Sequence, residues 1–438
     1  MKRWKGEAMK DFVLKGNICY SKTKKELEIV ENGYLVCQDG RSAGVYTELP
    51  LEYKSLHLVD YGDQLIIPGM VDLHIHAPQF SFRGMSMDLE LMDWLNHYTF
   101  PEEEKFEDLN YAQKAYTIFA DALKMGATTR AVIFATRHRD ATNLLMRLME
   151  DTGLVSYVGK INMDREASEK LVEKSALISA FETWGWINGL KDDFVRTKPI
   201  LTPRFIPCCT DELMEELREI QMAYGIPVQS HLSENPGEIE FVHFLRPQNE
   251  FYGEAYNEYD MFGVNNDTET NVKTVMAHCV WSTEKELQLI RKNGVFIAHC
   301  PASNMNLASG IAPIKKCLDM NIRVGLGSDI AGGHSDSIFR AMTDAIQVSK
   351  LYWRYIDQNS SAVVFPEAFY MATKGGGEFF GNVGSFEKGY EFDALVLDDS
   401  ILVHPQPLTV AQRLERAVYL SLDTKGITAK YVQGRQIF

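Results

Sequence analysis

Two histidines separated by one residue, His74 and His76, end the apolar stretch Pro68-Gly69-Met70-Val71-Asp72-Leu73-His74-Ile75-His76. Side chains on a β-strand repeat every two residues, so both imidazoles project the same way and could chelate one metal ion. Taken alone, the pair equally fits two chance histidines on one strand face. The remaining histidines weigh against chance, because the chain has only 11 of them. His231 ends an apolar stretch in Gln229-Ser230-His231-Leu232-Ser233-Glu234, and His278 ends another in Met276-Ala277-His278-Cys279. Asp329 ends a third in Gly325-Leu326-Gly327-Ser328-Asp329. Brought together, three imidazoles and a carboxylate would surround a divalent cation and leave room for a water, an arrangement suited to hydrolysis. Zinc lowers the pKa of a bound water from 15.7 to about 7. Glu234, just beyond His231, could accept that proton and pass it on, with Asp329 as a second proton station. The plainer reading of Glu234 is a helix start beside Ser233, with Pro236 close behind.

Residues so far apart in sequence meet only if a repeating architecture gathers strand ends on one side. From Leu65 onward, short apolar stretches alternate with longer helical ones. Eight strands are expected: Leu65 to His76, Ala127 to Thr136, Val155 to Met163, Ile200 to Phe205, Ile226 to Ser233, Lys273 to Cys279, Val295 to Cys300 and Ile322 to Asp329. Several follow helix C-cap signals at Gly126, Gly225, Gly294 and Asn321. Eight parallel strands with intervening helices predict an α/β fold, a (β/α)8 TIM barrel, in which the strand C-termini converge on one mouth. A doubly wound sheet is the rival arrangement. Both chain ends read differently, as short alternating strands such as Phe12 to Tyr20, Tyr34 to Gln38, Asp393 to Leu397 and Ala429 to Val432, punctuated by turn glycines. The division expected is therefore residues 1–67 and 386–438 as the two parts of a small β-sandwich, enclosing a barrel over 68–385.

Composition bounds the partners. Over 438 residues, Asp+Glu 60 against Lys+Arg 45 give a formal net charge of -15, which argues against a nucleic-acid-binding face. Met1 to Lys10 is basic, but no signal-like or membrane-spanning apolar run follows, so a soluble, cytoplasmic protein is expected. The 7 cysteines lack CxxC spacing, and some fall in apolar strands (Cys279, Cys300) or side by side (Cys208, Cys209), which suits reduced thiols. The acidic run Pro101 to Asp108 reads as a solvated helix start. Gly325-Leu326-Gly327 fails the spacing of a dinucleotide loop.

The HxH after a PG-x-VD strand, the SHLSE segment, the MAH strand end, HCPASN at His299 to Asn304 and the GSD strand end together resemble the amidohydrolase superfamily. Within it, Pro68 to Gly84, Thr202-Pro203-Arg204-Phe205, Ser230 to Glu234 and Ser328 to Gly333 resemble the guanine deaminases. The resemblance implies one zinc per subunit, with ferrous iron as an alternative, held by His74, His76, His231 and Asp329. It also implies that His278 lies beside the metal and hydrogen-bonds the water or substrate. Binuclear relatives carry a carboxylated lysine at the end of the fourth strand, where this chain has Thr202-Pro203-Arg204-Phe205. The catalytic residues implied are Glu234, Asp329 and His278; the substrate contacts are Gln79, Arg204, Phe205, His231, Glu234 and His278. Guanine presents a carbonyl at C6 where adenine presents an amine, so the donor-only Arg204 favours guanine, and Gln79 can donate and accept. Phe205, with Phe80 or Phe82, could stack on the base. His299 reads as structural, His334 as near the site or not with equal weight, and His138, His243 and His404 as surface or loop residues. The family expectation is a homodimer working on a free purine base in purine breakdown or salvage. Two alternatives stay open: a related enzyme deaminating or dechlorinating another amino-heterocycle, and a non-catalytic scaffold of the same fold.

Overall fold

Strands from opposite ends of the chain build one sheet. A computed structural model describes residues 11–190 and 194–438, so the basic Met1 to Lys10 segment lies outside the described residues. The sheet has seven strands in the order Arg435–Gln436, Ile427–Val432, Ala394–Leu397, His57–Pro68, Asp11–Ser21, Leu27–Gln38, Arg41–Tyr46. His57–Pro68 is the seam: it pairs in parallel with Asp11–Ser21 and antiparallel with Ala394–Leu397. Alternation along the strands sorts side chains to two faces. Phe12, Leu14 and Ile66 pack with Phe392 and Tyr431 on one face, while Val13 and Val36 meet Ala43 and Tyr53 on the other.

The expected first strand, Leu65 to His76, divides in two. Its Leu65 to Pro68 portion belongs to the terminal sheet, and the parallel strand proper is Met70–His76. Gly69 sits at the break, where a Cβ would fall 2.2 Å from Thr129 Oγ1, so glycine leaves the room that the Thr129 side chain fills. Met70–His76, Thr128–Phe134, Val155–Gly159 and Thr197–Pro199 then form one four-stranded parallel sheet. Val228–Leu232, Thr274–His278, Phe296–His299 and Arg323–Leu326 form a second. The expected strand Ile200 to Phe205 contracts to Thr202–Pro203, paired with Ile161–Asn162, because Pro199 and Pro203 interrupt its donor row. Backbone hydrogen bonds join the two parallel sheets at both edges. Leu201 N donates to Pro227 O (2.9 Å) and Gln229 N to Leu201 O (3.0 Å); on the far side Asp329 N donates to His74 O (2.8 Å) and His76 N to Ile330 O (3.2 Å).

Of the four expected helix stops, Gly225, Gly294 and Asn321 adopt left-handed φ of 60°, 66° and 60°, whereas Gly126 is extended. At Gly126 a different device closes the helix Leu109–Met125. Lys430, fully buried in the last long strand, donates to the carbonyls of Leu123 (2.9 Å), Lys124 (3.1 Å) and Gly126 (2.9 Å). Arg130 makes a second clamp, from the parallel sheet to Asp393 Oδ2 (2.5 Å) and Glu391 Oε2 (2.8 Å) beside the terminal sheet. All seven cysteines are buried and none is paired. No helix of the described residues is long and apolar enough to cross a membrane.

Candidate active site

Met70–His76 delivers His74 and His76, Val228–Leu232 delivers His231, Thr274–His278 delivers His278, and Asp329 follows Arg323–Leu326. Their inward atoms crowd together. His74 Nε2 lies 3.2 Å from His76 Nε2 and 3.1 Å from Asp329 Oδ1. His76 Nε2 lies 3.3 Å from His231 Nε2 and 3.4 Å from Asp329 Oδ1. His231 Nδ1–H donates to the Arg204 carbonyl (2.6 Å), which leaves the Nε2 lone pair facing the centre. Burial holds His74 below the ordinary imidazole range and His76 and His231 well below it, so all three are neutral at pH 7. Several lone pairs and a carboxylate in a dry centre are satisfied by one cation and not by one proton. The donor set thus fits a borderline divalent metal. Nitrogens of His74, His231 and His278 also lie within 4.8 Å of one another, as do donor atoms of His74, Cys300 and Asp329. Cys300 is buried, and its Sγ donates to the Ala298 carbonyl at 3.4 Å.

The backbone that presents these groups is strained. His278, Asp329 and Ser233 have positive φ of 75°, 46° and 48°, values that non-glycine residues hold only where the surroundings enforce them. Part of that enforcement is Asp72, buried between the strands, which accepts from Ser328 Oγ (2.5 Å), Ser328 N (3.1 Å) and His74 N (3.1 Å). Gly333 is the other part: its N–H donates to Asp329 O (2.6 Å), and a Cβ there would sit 1.9 Å from Ser328 O.

Glu234 is free for chemistry because the helix Pro236–Leu245 is capped by Asn235 and Glu238, not by Glu234. Its Oε1 accepts from Ser309 Oγ (3.1 Å) and its Oε2 lies 3.4 Å from His278 Nε2. Burial pushes the Glu234 carboxyl above the usual range. Burial alone would lower His278, but Glu234 and Asp329 outweigh it and raise the imidazole. His278 Nδ1 is turned by Asn304 Oδ1 at 2.9 Å. That contact explains the asparagine of HCPASN, whereas His299 is buried with neither ring nitrogen hydrogen-bonded.

Above the cluster a pocket of about 430 Å³ is lined by His76, Gln79, Arg204, Phe205, His231, Glu234, His278 and Asp329, and by Leu91, Trp94, Leu95, Leu307 and Gly332. The nine site residues named from sequence therefore meet at one place. Phe80 and Phe82 do not: Phe80 packs on Phe119 and beneath the Arg83 guanidinium, and Phe82 packs on Trp94. The apolar wall comes instead from Leu91, Trp94 and Leu95, which no motif marked. The reading of Pro101 to Asp108 as a solvated helix start holds for the helix and for exposed Glu107 and Asp108, but not for two of its acids. Glu102 and Glu103 are buried, and Glu103 accepts from Gln79 Nε2 (3.0 Å) and Arg204 Nη1 (2.7 Å). Asn306 Nδ2 lies 3.1 Å from His334 Nδ1, and His334 is not among the residues lining the pocket; His138 is a half-buried loop residue just before the helix Arg139–Thr152.

The profile described as the Amidohydrolase family matches residues 65–437. The chain is 36% identical over 389 residues to a guanine deaminase of Dictyostelium discoideum, covering 87% of this chain and 84% of that one. It is 36% identical over 388 residues to the guanine deaminase of Homo sapiens, covering 85% and 83%. Among solved structures, it superposes on the guanine deaminase from C. acetobutylicum with bound guanine in the active site, with a TM-score of 0.93, 45% identity and coverage of 98% and 100%.

Proposed function

The chain belongs to the amidohydrolase family, and from that premise we propose that it is an enzyme that deaminates guanine. Water adds at C2, the exocyclic C–N bond breaks, and xanthine and ammonia leave. The observation that carries this reading is the pairing, in one pocket, of a metal-type donor cluster with Arg204 and Gln79 on the facing wall. Arg204 offers only donors, which suits the C6 carbonyl of guanine and opposes the C6 amine of adenine.

His74, His76, His231 and Asp329 would hold the metal, and the imidazole and carboxylate donors favour zinc over a hard cation. A bound zinc supplies a water whose pKa is near 7. Glu234 would take a proton from the attacking water and deliver it to a ring nitrogen of the base. His278, raised by its two carboxylate neighbours, donates from Nε2 toward the reacting centre. Asp329 relays the second proton to the departing amine. Phe205 and Trp94 exclude solvent over the flat base. The edge-to-edge hydrogen bonds between the parallel sheets support reading them as one (β/α)8 barrel, with the terminal strands as its companion β domain. Homodimeric assembly rests on the family resemblance alone, and a cytoplasmic setting on the sequence expectation given above.

The test is an ultraviolet substrate screen with guanine, adenine, cytosine and aminotriazines, with ammonia and bound metal measured in parallel. Guanine turnover with about one metal per chain is expected. Turnover of a triazine but not guanine would assign the alternative enzyme, and less than a tenth of an equivalent of metal in protein never exposed to chelator would remove the enzyme reading.

A further inference from the structure

Glu103 is fully buried on the short helix Phe100–Glu104, and each of its carboxylate oxygens is committed to a different base-facing side chain. Oε1 accepts from Gln79 Nε2 at 3.0 Å and Oε2 accepts from Arg204 Nη1 at 2.7 Å. On its other side, Gln79 Oε1 accepts from Ala331 N at 3.0 Å. These two bonds decide which end of the Gln79 amide is which. A flipped amide would set its oxygen against the Glu103 carboxylate and its NH2 against the Ala331 N–H, two repulsive contacts in a dry site. The second N–H of Gln79 therefore keeps one fixed place at the pocket wall. Arg204 is held likewise, 3% exposed, with its guanidinium 5.2 Å over the Phe100 ring and one edge on Glu103, so the rest of its donor fork is left for a ligand. Glu103 also cancels the Arg204 charge, so the wall offers fixed donors without net charge, which suits a neutral carbonyl more than an anion.

We propose that Glu103 is a positioning residue that sets base specificity: its carboxylate locks Gln79 and Arg204 into the one donor pattern that reads the carbonyl edge of a neutral oxopurine. This rests on the reading of Gln79 and Arg204 as base contacts given under Proposed function. A buried ion pair that only stabilises the segment would weaken every ligand alike; a pair that organises recognition weakens only ligands bearing the 6-oxo group.

The experiment compares Glu103→Gln with the unaltered enzyme, using guanine as substrate and hypoxanthine and unsubstituted purine as competitive inhibitors. The guanine KM and the hypoxanthine inhibition constant are expected to rise about 30-fold or more, the scale of a lost charge-assisted contact, while purine shifts less than about threefold. Purine weakening by the same factor as hypoxanthine overturns the proposal, as does an unchanged guanine KM. In an Arg204→Ala, Gln79→Ala background, Glu103→Gln should change the hypoxanthine dissociation constant, read by titration calorimetry, by less than about threefold, and multiplying losses would contradict action through those two residues. If Glu103→Gln does not fold, Glu103→Asp carries the same comparison with the charge kept. An unaltered enzyme that releases no ammonia from guanine defeats the parent reading; one that does, with specificity indifferent to residue 103, defeats only this one.

Discussion

Replacing Glu234 by glutamine changes almost nothing in shape and removes one capability. The amide oxygen can keep the hydrogen bond from Ser309 Oγ, and the backbone stays held by the Glu238 carboxylate, which accepts from Glu234 N at 3.0 Å. What disappears is a group that exchanges protons 3.4 Å from His278 Nε2. General acid–base catalysis contributes about 10²- to 10⁴-fold, so kcat for guanine should fall by that factor, about 3 to 5.5 kcal/mol on the barrier. Stability should move the other way or stay put. Burial pushes the Glu234 carboxyl up, meaning that the fold disfavours its charge, and a neutral isostere removes that penalty at the loss of a partner for His278. A change in unfolding free energy within about 1 kcal/mol is expected. Metal content should be unaffected, since Glu234 is not among the converging donors. Three measurements on one preparation decide it: initial rates of ammonia release, metal per chain by elemental analysis, and urea unfolding monitored by circular dichroism. The acidic limb of the pH–rate profile, displaced upward from the ordinary glutamate range in the unaltered enzyme, should also vanish. Loss of metal, or a kcat within tenfold of the original, would refute the assigned role.

Arg204→Ala should abolish guanine turnover, retain metal, and cost about 3 to 5 kcal/mol of stability because it leaves Glu103 buried without its cation; an unfolding midpoint equal to that of the unaltered protein would show that the pair is not buried in solution. His299 links stability to pH: burial holds its imidazole down to about 3, whereas an unfolded imidazole protonates near 6.5, so stability is complete above 6.5 and declines as pH falls toward 3. At pH 5 the contribution lost is about 2 kcal/mol, and urea midpoints at pH 7.5 and 5 should diverge less in His299→Gln; parallel behaviour would contradict the linkage. Lys430→Met strips the donor from the carbonyls of Leu123, Lys124 and Gly126 and should destabilise by about 2 to 4 kcal/mol in thermal or denaturant unfolding, with kcat at saturating guanine unchanged.

The metal-type cluster was legible because strand periodicity and strand-end position are local properties. His74 and His76 declare themselves by spacing, and His231, His278 and Asp329 by where apolar runs stop. The recognition wall was only half legible. Arg204 stood out within its TPRF setting, but Glu103, which organises it, sits 101 positions away inside a run of acids that looks solvated. Nothing in local charge patterning distinguishes a carboxylate that folds inward onto an arginine from one that faces water. Trp94 and Leu95 escaped for a related reason: which segment folds over the ends of parallel strands depends on chain geometry, not on residue type. The first parallel strand was drawn too long because Leu65 to Ile67 and Met70 to Val71 read as one apolar run, although Pro68-Gly69 punctuates it where the chain passes from the terminal sheet to the parallel one. Similarly, Thr197–Pro199 went unrecognised because three residues, one of them proline, are too few to show a period.

The seam strand His57–Pro68 has a consequence for how the chain is born. One of its edges pairs with Asp11–Ser21 early in synthesis, but the other receives Ala394–Leu397 only when nearly the whole chain has been made. Until then a nascent chain carries an unpaired strand edge with apolar Ile66 and Ile67 beside it, the kind of surface that neighbouring chains and holdase chaperones recognise. Arg130 waits in the same way for Asp393 and Glu391. A ribosome that stalls or terminates before residue 391 therefore releases a complete set of metal-type donors on a scaffold whose base is open, a product for quality control and not a smaller enzyme.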